Sequence, residues 1–112
     1  MTIEGRVIRG VVCTLPQFIK SFGRIRDPRL QSEIRETIRG LLLLNIDQPP
    51  AKLKLHQLKN SKVPSFVDPS RRINAWTIHV TANDAYKASF TYEDGVAYFR
   101  VIDEHDVVDK NP

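Results

Sequence analysis

The stretch "AYKASFTYEDGVAYFRVI", residues 85–102, constrains the fold more than any other part of the chain. Apolar and polar residues alternate on both sides of Glu93-Asp94-Gly95. Asp-Gly tolerates the positive φ angles that a tight antiparallel turn demands. Residues 85–92 and 96–102 are therefore predicted to pair as a β-hairpin. "AWTIHV" (75–80) precedes them across "TAND" and adds a further strand, and "GRVIRGVVCT" (5–14), rich in valine and isoleucine, reads as a first one.

The residues between follow a different period. Thr14 with Gln17 three residues later fits a capping box, and Pro16 is tolerated in a first helical turn. Phe18, Phe22 and Ile25 then recur at helical spacing. Asp27-Pro28 restarts a helix as N-cap and first residue, with Leu30, Ile34, Ile38, Leu41 and Leu42 as its buried stripe. "AKLKLHQLKN" (51–60) alternates like a short strand or extended arm, and "SKVPSFVDPSRRIN" (61–74), with two prolines, reads as a loop. The expected architecture is one α+β domain over residues 1–112: an N-terminal strand and a helical hairpin packed on a small antiparallel sheet.

At 112 residues such a domain can bury one core without metal or disulfide. The longest apolar block, "GLLLLNI", is far below the roughly 20 residues that cross a bilayer, and the N-terminus lacks a signal-peptide pattern. Cys13 stands alone in an apolar run, which predicts a buried structural thiol and a cytoplasmic protein. Charge is unevenly spread. Residues 1–72 carry 14 Lys+Arg against 6 Asp+Glu, whereas residues 73–112 carry 3 against 7. A basic first part suits an anionic partner.

His56, His79 and His105 lie too far apart for a local metal-ligand motif, and no cysteine pair accompanies them. Neither GxGxxG nor GxxxxGK[ST] occurs. No metal and no cofactor is predicted. One constellation remains: His56, Lys87 and His105, each at a strand or strand-edge position. If Val101, Asp103 and His105 continue one strand they share a face, because the side-chain period is two. His105 would donate a proton, His56 would remove one, and Lys87 would steady negative charge. The bland alternative is that such residues cap strands or face water.

The series "LKN … WTIHV … AYKASFTYEDG … VIDEH" resembles the RelE/ParE superfamily of toxins from bacterial toxin–antitoxin systems. The resemblance is best from Leu55 to Val107 and generic over the helices. It implies a RelE-like fold and, in the ribonuclease branch, a metal-independent endonuclease that cuts mRNA on the ribosome by 2′-hydroxyl attack. By position it implies His105 as general acid, His56 as base, and Lys87 where the family usually has arginine. His79 would contact phosphate, and Lys52, Lys54, Lys59, Arg71 and Arg72 would form a positive rim along RNA. The implied partners are a cognate antitoxin peptide laid over the sheet, the ribosome and mRNA, with no membrane and no small-molecule ligand. A non-catalytic member of the same fold (a gyrase inhibitor, or an inactive toxin that binds its antitoxin) and a small RNA-binding module are the alternatives.

Overall fold

The structure, a computed structural model, describes residues 7–81 and 85–112. Its elements are β1 (Gly10–Val12), α1 (Pro16–Gly23), α2 (Pro28–Arg39), a 3-10 turn (Ala51–Leu53), β2 (His56–Pro64), β3 (Arg72–His79), β4 (Tyr86–Glu93), β5 (Val96–Glu104) and α3 (His105–Lys110). The strands form one five-stranded sheet in the order β1-β5-β4-β3-β2. Strands β2 to β5 are an antiparallel meander, whereas β1 joins β5 in parallel, with Gly10 opposite Val96. The sheet is thus mixed rather than purely antiparallel. Local alternation sets a strand's face but not the direction of a partner far along the chain.

The β4–β5 hairpin turns where the sequence predicts. Glu93 pairs with Val96, and Asp94 and Gly95 both take positive φ, 52° and 86°. Helix α2 starts as expected: Asp27 is the N-cap, accepting the Arg29 amide at 2.9 Å, and Pro28 opens the helix. Helix α1 does not use the Thr14 capping box. Its N-cap is Leu15, with no side-chain cap, and the stiff ring of Pro16 sets the first turn instead. Residues 61–64 and 72–74 belong to strands, so only 65–71 remain as a loop. Pro64 is admissible because β2 is an edge strand, where a missing N–H breaks no ladder.

The two helices cover one face of the sheet. Ile34 and Ile38 of α2 enter the core with Trp76, Ile78, Phe90 and Ile102. Phe18 of α1 meets Phe99 edge-on at 5.8 Å. Fully burying one such side chain stabilises by about 1.5–3 kcal/mol. Where β1 stops short along β5, the Ile102 amide donates to Ser21 Oγ of α1 at 3.1 Å, so no backbone donor is left orphaned there. Leu41 is buried beyond the helix end, while Leu42 is exposed. Among the described residues no helix is long and apolar enough to cross a membrane.

The opposite face carries polar residues, and α3 lies over it. The helix begins after Glu104, the last residue paired with β4, and the His105 amide still donates to the Ala85 carbonyl at 3.2 Å. Val108 is its fully buried anchor. His105 is therefore the first residue of a helix, not the end of a strand.

Candidate functional site

Register places the polar residues in rows. His56 on β2 stands opposite Thr77 on β3, Thr77 opposite Ser89 on β4, and Ser89 opposite Val101 on β5. The next row along is His79, Lys87 and Asp103. With a side-chain period of two, both rows project from the face away from α1 and α2. His79 and His56 are diagonal neighbours, a relationship that spans about 7–8 Å between backbone positions.

Helix α3 brings His105 back over this face. Its ring meets that of His79 edge-on, with centroids 5.6 Å apart and planes at 86°. Lys87, buried in the middle of the sheet, sends Nζ to Asp109 Oδ1 at 2.7 Å. The other oxygen of Asp109 lies 3.6 Å from His105 Nδ1, and Asp106 Oδ1 lies 3.1 Å from the same nitrogen. Lys87, His79, His105 and Asp109 thus form one cluster, with His56 further along the same face.

The imidazole tautomers follow from the partners. His56 Nδ1 is 2.9 Å from the Lys54 carbonyl, which can only accept, so Nδ1 carries the proton and Nε2 is the nitrogen that can take another. Carboxylate oxygens likewise fix a proton on Nδ1 of His105 and leave Nε2 for transfer.

The basic residues divide into two groups. Lys52 and His79 line a pocket of ≈ 240 Å³ with Leu53, Thr37 and Glu33, and Lys54 stands one turn from it at the entrance to β2. Lys59 is exposed within β2. Arg71 and Arg72 lie at the start of β3, the opposite end from His79 and, at about 3.3 Å per residue, more than 20 Å away along the strand.

Four participants escape sequence reasoning. Asp109 looks like an ordinary residue of a charged tail. Ser89 donates to the Pro112 oxygen at 2.6 Å. Thr77 Oγ1, fully buried between His56 and Ser89, has no hydrogen-bond partner. Arg100 donates from Nε to the same Pro112 oxygen at 3.2 Å. Only Ser89 and Thr77 leave a trace in the sequence, as hydroxyls in phase with Lys87 and His79.

An apolar groove of ≈ 420 Å³ between α1 and α2 is lined by Phe18, Phe22, Ile34 and Ile38 and lies on the other side of the sheet from these groups. Compared with known proteins, the chain matches no family model, no curated protein and no solved structure.

Proposed function

We propose that this chain is a RelE/ParE-like toxin of a type II toxin–antitoxin system, acting as a metal-independent, ribosome-dependent mRNA endonuclease. One observation carries the reading: two imidazoles with available Nε2 atoms, His56 and His105, project on the same sheet face as Lys87. In the reaction His56 Nε2 takes the proton of a ribose 2′-hydroxyl as its oxygen attacks the adjacent phosphorus. Lys87, with His79 beside it, steadies the charge of the five-coordinate intermediate. The phosphorus–5′-oxygen bond then breaks, and the leaving oxygen takes a proton from His105. The products are a 2′,3′-cyclic phosphate and a 5′-hydroxyl. Substrate phosphate must displace Asp109 from Lys87, because the ammonium is buried beneath that carboxylate. The protein acts in the cytoplasm, and a cognate antitoxin covers the sheet.

The same ion pair favours a second reading. A lysine already neutralised, where the resembled family has arginine, suits a non-catalytic member that binds its antitoxin or inhibits gyrase.

Induced expression of wild type and His105→Ala, followed by primer extension on cellular mRNA, separates the two. Growth arrest with new mRNA 5′ ends, both lost in the variant, is the outcome expected of the endonuclease. Arrest that persists in the variant with intact mRNA sinks it and supports the second reading.

A further inference from the structure

Away from the histidines, where the ends of β2 and β3 meet β5 and residues 110–112, four cations converge on an open pocket of ≈ 420 Å³. Lys62, Arg72, Arg100 and Lys110 line it, with Asn60 and Asn111, and among the described residues no aspartate or glutamate does. The convergence is built rather than incidental. Phe90 pairs with Phe99 and Ser89 with Val101, so Arg100 is the extra residue of a β-bulge in β5, a device that re-aims a side chain. Arg72 is held in place by donating from Nη2 to the Lys62 carbonyl at 2.7 Å.

Arg100 is half-buried, and both burial and the nearby charge of Arg72 push its pKa down. Two guanidiniums drawn together repel each other unless an anion bridges them. A single oxygen, that of Pro112, now accepts from Arg100 Nε and from the Ser89 hydroxyl. That oxygen marks where an oxyanion would sit. The pocket is larger than one oxyanion needs, and Ser89, which shares the Pro112 oxygen with Arg100, stands two residues from Lys87 on β4.

We propose that Lys62, Arg72, Arg100 and Lys110 form a phosphate-binding site for an RNA phosphodiester flanking the one at Lys87. Arg100 and Arg72 supply the forked donors that grip phosphate oxygens, and the two lysines supply surrounding charge. The proposal rests on the RNA reading above and adds where the strand continues. The C-terminal residues Asn111 and Pro112 move aside when RNA enters.

The test has two arms. Inorganic phosphate is titrated into 15N-labelled protein while the arginine Nε–H signals are followed, with chloride at matched ionic strength as control. Saturable shifts of Arg100 and Arg72 are expected with phosphate alone, and each of the exposed-lysine variants Lys62→Gln and Lys110→Gln should weaken the midpoint roughly threefold. In the second arm, a 12-nucleotide single-stranded RNA is bound to wild type and to the Lys62→Gln/Lys110→Gln double variant over a salt series. The slope of log affinity against log salt should become shallower by about 1–2 in the variant. Shifts equal in phosphate and chloride, or an unchanged slope, overturn the proposal. Messenger RNA cleavage with an unchanged slope would sink this site and leave the endonuclease reading standing, whereas loss of cleavage in His105→Ala tests that reading alone.

Discussion

Lys87 and Asp109 form an ion pair whose two members differ in their contact with water: the lysine side chain is 5% exposed and the aspartate 38%, with Nζ and Oδ1 2.7 Å apart. Removing either partner therefore has unequal consequences. Asp109→Ala strands a buried ammonium and should destabilise the fold by about 3 kcal/mol. Lys87→Met replaces the cation by an apolar chain of similar reach and leaves an aspartate that water can solvate, so stability should change by less than about 1 kcal/mol. Urea denaturation of both variants checks the asymmetry. Equal losses would mean that α3, rather than the charge, dominates the contact.

Glu93 ties down the 65–71 loop. Its carboxylate accepts from the Ser65 hydroxyl, from the Phe66 amide at 2.8 Å and from the Thr91 hydroxyl at 2.7 Å. Burial by itself would raise its pKa, but these hydrogen bonds outweigh it and hold the carboxyl below its ordinary value. A depressed carboxyl stabilises the fold above its unfolded pKa, and that stabilisation is lost as pH falls through the folded value. Glu93→Gln should therefore cost about 1–2 kcal/mol at pH 7, discounted for the group's contact with water. The gap from wild type should close as pH falls through the folded carboxyl's depressed pKa. A gap that persists in acid would assign the loss to packing.

Gly95 sits at φ 86°, where an added Cβ would meet the Arg9 side chain at an ordinary 3.5 Å. Space is available, so the cost of Gly95→Ala lies in the backbone and should be about 1–2 kcal/mol. Thermal denaturation should show a fall of several degrees. An unchanged midpoint would mean that the hairpin had adopted another turn.

Burial pushes the Cys13 thiol up from its ordinary pKa, and the residue lines the apolar groove beside α1 and α2. At pH 8 the folded protein should react with a disulfide reagent at least tenfold more slowly than the urea-unfolded chain, because only the thiolate attacks. Comparable rates would show that the groove opens readily.

The hairpin, the α2 start and the helix stripes were legible because each depends on residues close in sequence: Asp94-Gly95, Asp27-Pro28, and Ile34 with Ile38. What stayed hidden depends on distant contacts. The parallel seat of β1 beside β5 requires two segments more than 80 residues apart to meet. Alternation through Asp103 gave no sign that the chain would turn helical at His105, since that turn reflects Val108 finding a buried place on the sheet. The strand face of Lys87 and His79 could be read from phase, but the pairing of Lys87 with Asp109 could not. Arg100 was hidden for a related reason: a bulge breaks the period of two that would have assigned its side.

The outer strands also bear on how the molecule behaves in a crowded solution. On β2 the chain advances from Gln57 to Lys62 while its partner advances only from Trp76 to Asn74, and Pro64 follows. That border is kinked, studded with Lys59 and Lys62, and short of one amide donor, while the other border, β1, is only three residues long. Neither offers the long flat ribbon that a neighbouring chain could extend, so the fold carries its own defence against edge-to-edge aggregation.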